Sequence, residues 1–206
     1  MRIALIHALR LSIDPIMASF ARHWPEAKLA NLLDDSLSAD LAAGASLESM
    51  TTRFLTLARY AHATGADGIL FTCSAFGPCI EACAKELAPM PVLKPNEAMI
   101  EAAQPYQRIG VLATFGPTLA TMPPEFGRPV QTALIEGALA ALDAGDGTTH
   151  DRLAAETAKS LHGCDAIALA QFSLARAADA VAAATGLPVL TTPDSAVLKL
   201  KALLHA

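Results

Sequence analysis

Cys73 is the first candidate for chemistry in this chain. It follows the apolar run Gly68-Ile69-Leu70-Phe71-Thr72 and precedes Ser74-Ala75-Phe76-Gly77-Pro78. The run reads as a buried strand, and a small polar residue shortly before a proline reads as the start of a helix. A thiol at that junction faces unpaired N–H groups and the positive end of a helix dipole. Both lower a thiol pKa and favour thiolate chemistry. A free cysteine is also at home as a small buried hydrophobe. The strand-end position tilts the reading toward function.

The surroundings of Cys73 occur twice. Gly65-Ala66-Asp67-Gly68-Ile69-Leu70-Phe71-Thr72-Cys73 reads like Gly163-Cys164-Asp165-Ala166-Ile167-Ala168-Leu169-Ala170-Gln171. Pro91-Val92-Leu93 matches Pro188-Val189-Leu190, and Arg2-Ile3-Ala4-Leu5-Ile6 matches Arg108-Ile109-Gly110-Val111-Leu112, in the same order. The period is far too long for a solenoid, so the chain is read as two halves on one plan. Two pseudo-symmetric lobes facing one cleft are expected, with Cys73 on one side and Gln171 on the other. Cys73 thus has a partner position that lacks a thiol.

Other candidates cluster in sequence around the same strand ends. His7 closes the first apolar run and suits a proton carrier or a carboxylate partner; a hydrogen-bonded structural histidine is the plainer reading. Ser74, Ala75, Phe115, Phe172 and Ser173 follow strand ends, where their backbone N–H groups suit a carboxylate or its enediolate. The hydroxyls of Thr114 and Ser173 suit the same task or ordinary helix capping. Cys79 and Cys83 share a helix face without further soft ligands, so packing is expected there and no metal site. Cys164 falls at the wrong end of its strand for chemistry. Asp34 and Asp35 sit in a loop, solvated, capping or over a site.

The elements that must position these residues alternate. Strands are predicted at Arg2–His7, Lys28–Leu32, Asp67–Thr72, Val92–Lys94, Ile109–Ala113, Val130–Leu134, Ala166–Ala170 and Pro188–Thr191. Helices are predicted between them, and the stretch Asn31–Gly44 reads as a loop with a short helical piece. Apolar strands separated by helices imply an α/β fold with parallel sheets flanked by helices. Ligands in such folds bind beyond the carboxyl ends of strands, here His7, Cys73, Thr114 and Gln171. The expected lobes are residues 1–95 with 191–206, and residues 96–190.

Composition narrows the function classes. The 206 residues are 53% apolar and 17% charged, which indicates a folded globular chain. A net charge of −5 leaves no footprint for nucleic acid or an anionic membrane. No signal-like or spanning segment is read, and four cysteines without a CxxC pair suit a reduced, cytoplasmic protein. No phosphate loop, dinucleotide fingerprint, nucleophile elbow or HExxH is present, so no cofactor and no metal are expected. A homo-oligomer is compatible with these features.

The duplicated plan, Thr72-Cys73-Ser74 in the first half and Gly110-Val111-Leu112-Ala113-Thr114 opening the second, resembles the aspartate/glutamate/hydantoin racemase superfamily. The resemblance runs through nearly the whole chain. It implies two α/β lobes and cofactor-independent chemistry at the carbon next to a carboxylate. Typical members use two cysteines, one per lobe, as acid and base on opposite faces of a planar carbanion. This sequence keeps Cys73 and departs at Gln171, an amide that exchanges no useful proton at neutral pH.

Three functions follow from that departure. A racemase or isomerase acting on a small carboxylate through an enediolate needs a second base, for which His7 is the candidate. A decarboxylase or lyase of arylmalonate decarboxylase type protonates the enediolate from one face and needs only Cys73. A small-anion-binding protein keeps the cleft without the chemistry. Phe76, Phe115 and Phe172 near the strand ends suggest an apolar pocket, or core.

Overall fold

The computed structural model describes residues 1–205, apart from the side chains of residues 42, 117 and 121. The chain divides into two units, Met1–Ala98 with Ala196–Ala206, and Met99–Ser195.

The first unit holds a four-stranded sheet of β1 (Arg2–His7), β2 (Lys28–Leu33), β3 (Gly68–Phe71) and β4 (Val92–Leu93). Its order is β2-β1-β3-β4 and all three pairings are parallel. Central strands buried on both faces must be apolar at every position. β3 is buried throughout, and β1 throughout except Arg2. Edge strand β2 is half exposed, which accounts for its mixed sequence.

Helices α1 (Ile13–His23), α2 (Ser36–Ala42), α3 (Leu47–Ala63) and α4 (Gly77–Glu86) connect the strands. Ser46 caps α3 by accepting from the Ser49 N–H. The same helix buries Met50, Phe54, Ala58 and Ala61, the spacing of one helical face. Phe54 packs on Phe71 of β3 and on Phe76, with ring centroids 5.4 and 4.8 Å apart. Burying each such ring stabilises the fold by about 1.5–3 kcal/mol. Helix α10 (Thr192–His205) brings Leu200 and Leu204 against Gly68, where an added Cβ would lie 3.1 and 3.2 Å from their methyls.

The second unit repeats the plan with β5 (Ile109–Ala113), β6 (Gln131–Leu134), β7 (Ala166–Leu169) and β8 (Val189–Thr191). Its order, β6-β5-β7-β8, is again wholly parallel. Its helices are α5 (Glu97–Ala102), which begins in the first unit, α6 (Gly116–Thr121), α7 (Ala138–Asp143), α8 (Gly147–Ala158) and α9 (Ala178–Thr185). Its core gathers Leu112, Ile167, Leu169, Leu174 and Val181 on one side of the sheet.

The duplication extends to single hydrogen bonds. The Asp67 N–H donates to the Arg2 carbonyl and the Arg2 N–H to the Asp67 carboxylate; Asp165 and Arg108 make the same exchange. Ile69 N–H to Pro91 O reappears as Ile167 N–H to Pro188 O. Thr72 N–H to Ile6 O reappears as Ala170 N–H to Leu112 O. Cys73 and Gln171 therefore hold equivalent backbone positions.

Two stretches depart from the sequence expectation. Strand β2 bears out the predicted Lys28–Leu32 and runs one residue further, so the overlapping loop reading of Asn31–Gly44 gives way over Asn31–Leu33, where the backbone pairs with β1. The helix expected between Ala166–Ala170 and Pro188–Thr191 starts only at Ala178, after a 3-10 turn over Phe172–Ala177. Among the described residues no helix is long and apolar enough to cross a membrane.

Candidate active site

In parallel α/β sheets ligands bind where the strand order reverses. In the order 2-1-3-4 the connections leave β1 and β3 in opposite directions, which opens a crevice at their carboxyl ends. That position carries His7 and Thr72-Cys73 in the first unit. In the second it carries Ala113-Thr114 and Ala170-Gln171.

Cys73 is extended, at φ −129° and ψ 119°, and ends β3 before the 3-10 turn Ser74–Phe76 leads into α4. Its thiol is half-buried against the core of its unit. Burial pushes the thiol pKa up, and the Ala75 N–H bonded to the sulfur only partly opposes this. This corrects the expectation of a lowered pKa. One amide from a short turn does not outweigh lost hydration. The resting group is the neutral S–H, a proton donor. Ser74 and Ala75 beside it are exposed.

His7 is fully buried. Its Nε2 lies 2.9 Å from Asn31 Oδ1 and its Nδ1 2.8 Å from Thr72 Oγ1. An amide oxygen only accepts, so Nε2 carries the proton and Nδ1 accepts from the Thr72 hydroxyl. Burial lowers the His7 pKa, with the Asn31 bond pulling the other way. The neutral ring thus links β2, β1 and the residue before Cys73. Both ring nitrogens therefore have protein partners.

The second unit uses its polar groups differently. Gln171 Oε1 accepts from the Thr114 N–H at 2.6 Å and from the Thr114 hydroxyl at 3.0 Å. The expected Thr114 donors are therefore engaged by Gln171 itself. Phe115 lies 52% exposed just beyond β5. Phe172 is buried and Ser173 half-buried. Phe76 is buried as well, so of the three phenylalanines only Phe115 faces outward, and Phe76 and Phe172 are core.

The remaining candidates lie in the cores or in an ion pair. Cys79, Cys83 and Cys164 are buried in their cores, and burial pushes the Cys83 thiol up to about 12. Burial alone would raise the Asp34 carboxyl, but bonds from Ser36 and Arg53 outweigh it and hold the group low. Arg53 Nη2 lies 2.7 Å from Asp34 Oδ2, so that carboxylate anchors the segment after β2. Among the described residues no three His, Cys, Asp or Glu side chains group as metal ligands.

Two features escape a reading of the sequence. Asn31 gives no local signal, because its partner His7 lies 24 positions away. The exposed turn Leu9-Arg10-Leu11 follows His7 at the same sheet end. Both leucines are large and exposed, a property that the sequence alone does not show.

No family model matches the chain, and no curated protein matches it by sequence. Solved structures do match. Allantoin racemase from Klebsiella pneumoniae superposes with a TM-score of 0.77 at 20% identity, over 100% of this chain and 88% of that one. An aspartate racemase homologue from Pyrococcus horikoshii gives 0.77 at 12% identity, over 100% and 99%. A glycine-to-cysteine mutant of arylmalonate decarboxylase, in its sulfate-associated form, gives 0.73 at 15% identity, over 100% and 94%. At these identities the likeness establishes a shared fold.

Proposed function

We propose that this chain is a cofactor-independent enzyme of the aspartate/glutamate/hydantoin racemase superfamily that protonates an enediolate from one face, with Cys73 as the acid. The observation that carries the proposal is the asymmetry of the two equivalent strand ends. One ends in a half-buried thiol, and the other in an amide tied to Thr114. The shared fold with racemases and a decarboxylase supports the class of chemistry.

The substrate in this reading is a small acid with two carboxylates on one carbon. Loss of carbon dioxide breaks one carbon–carbon bond and leaves its electron pair on the α-carbon, delocalised into the remaining carboxylate as an enediolate. The Cys73 S–H bond then breaks. Its proton forms the new C–H bond, and the thiolate recovers a proton from water. An acid must be protonated before it acts, and the raised thiol pKa keeps Cys73 in that state at neutral pH. The exposed Ser74 and Ala75, at the turn after Cys73, are the groups proposed to meet the carboxylate. The four cysteines are unpaired, which suits a reduced, cytoplasmic setting.

The second reading is a racemase or isomerase, favoured by the likeness to allantoin racemase and to the aspartate racemase homologue. It needs a second acid/base. Gln171 supplies none, and both nitrogens of His7 are engaged. Incubation in deuterated water with substituted malonates, and separately with chiral α-substituted acids, distinguishes the readings. One-sided protonation releases carbon dioxide and gives one enantiomer labelled at the α-carbon, lost in Cys73→Ala. Exchange into both enantiomers of a chiral acid would replace this proposal with the racemase. Saturable binding of these acids without turnover would leave only an anion-binding protein.

A further inference from the structure

Gln171 is fixed at its backbone and at one end of its amide. Its backbone carbonyl accepts the Leu174 N–H at 3.1 Å. Its side-chain oxygen accepts twice from Thr114, at 2.6 Å from the N–H and 3.0 Å from the hydroxyl. A backbone N–H can only donate, so the atom that meets it is the amide oxygen and the orientation of the amide is fixed. The other end, Nε2, is then turned away from Thr114. Among the described residues it makes no hydrogen bond, and it is not among the buried polar atoms lacking a partner. Gln171 is half-buried at the carboxyl end of β7, the ligand-binding edge of its unit.

We infer that Gln171 is a pre-oriented hydrogen-bond donor whose Nε2 hydrogens bind a carboxylate oxygen of the ligand, with Thr114 as its positioning residue. This rests on the reading above that the ligand is a small carboxylate, and it gives the amide a task that a thiol at this position would not perform. An amide held by two donors loses little freedom when it binds, so its N–H groups act without reorganisation. Both are donors, so the position selects a group that only accepts, such as an ionised carboxylate, over an ammonium or a protonated acid.

The test uses the full-length protein and propionate as probe. The side-chain NH2 signals of Gln171 are assigned by their loss in Gln171→Glu and followed during propionate titration by two-dimensional 15N NMR. Glutamate keeps an oxygen for Thr114 and so keeps the clamp, but offers no N–H and adds a negative charge. Removing one hydrogen bond to a charged group weakens binding by about ten- to a hundredfold. The expected result is a saturable shift of the Gln171 signals in the wild type and a propionate Kd at least tenfold weaker in Gln171→Glu. Thr114→Val should also weaken binding, with Thr114→Ser restoring it. Unchanged affinity in Gln171→Glu, or no shift of the Gln171 signals, overturns the inference. Cys73-dependent deuteration, measured in parallel, separates the two readings. If it survives while Gln171 binds nothing, only this inference falls. If propionate binds at Gln171 but Cys73→Ala changes no rate, the one-sided mechanism falls instead.

Discussion

Replacing His7 with leucine tests whether the Asn31–His7–Thr72 chain sets the carboxyl end of the first sheet. Leucine fills comparable space and bonds to neither partner. The two partners then fare differently. Asn31 is an exposed residue and its carbonyl turns to water at little cost. Thr72 is 3% exposed and keeps only the longer contact to the Ile6 carbonyl, at 3.4 Å. A buried hydroxyl deprived of its good partner costs about 1–3 kcal/mol. The expected loss at pH 8 is therefore about 1–3 kcal/mol, against a typical total of about 5–15 kcal/mol.

The same substitution carries a pH signature. The folded pKa of His7 lies below the ordinary value of 6.5. The unfolded chain thus takes up a proton that the native chain refuses. The stability contributed by keeping this ring neutral is complete above about pH 6.5 and is lost as pH falls toward the folded value, by up to about 1.4 kcal/mol per pH unit. Leucine does not titrate, so the stability gap between wild type and His7→Leu should shrink from pH 8 to pH 5.5. Urea unfolding at the two pH values measures both terms. Equal midpoints at pH 8, or a gap that widens on acidification, would refute the reasoning.

Three further outcomes are expected. Alkylation of Cys73 by iodoacetamide, followed by mass spectrometry, should keep accelerating with pH beyond about 9, because burial holds the thiol above its ordinary value of 9.0; a plateau near pH 7 would contradict this. His7→Asn should retain measurable turnover while Cys73→Ala shows none, since in the proposed reaction only the thiol meets the substrate and both His7 nitrogens are engaged. Gly110→Ala should cost about 1–3 kcal/mol in urea unfolding. The new Cβ would lie 2.7 Å from a Leu161 methyl, 2.9 Å from an Ile167 methyl and 3.2 Å from the Cys164 sulfur.

The strands were legible wherever burial makes sequence uniform. Ile109–Ala113 matches β5 at both ends, because a central strand buried on both faces leaves no polar position to blur it. Edge strand β2 matches the predicted Lys28–Leu32 to within one residue, but its half-exposed residues carry a polar Asn31 that reads equally as the start of a loop. The strand-end position of Cys73 was legible, since it depends only on an apolar run and the Gly77-Pro78 that follows. Its pKa direction was not. Donors after a strand end lower a thiol pKa, but at Cys73 desolvation outweighs them. The partners of His7 and Gln171 were illegible for another reason. They lie 24, 65 and 57 positions away, and only strand register brings them together.

The two halves agree in backbone and disagree in where they place polarity. Asp34 N–H donates to His7 O as Ile135 N–H donates to Ala113 O, so His7 and Ala113 are equivalent, as are Thr72 and Ala170. The half with the thiol thus buries a polar pair at the two positions that carry methyl groups in the other half. Burying polar groups is costly unless they are fully bonded, and a scaffold that folds with Ala113 and Ala170 does not require them. The bonded pair His7 and Thr72 stands directly before Cys73 and has no counterpart in the other half. The other half bonds its polar side chains one residue further along, from Gln171 to Thr114, at the strand ends and not inside the sheet. Duplication supplied two equivalent crevices. The first sets a bonded His7–Thr72 pair beneath Cys73, and the second fixes the Gln171 amide on Thr114.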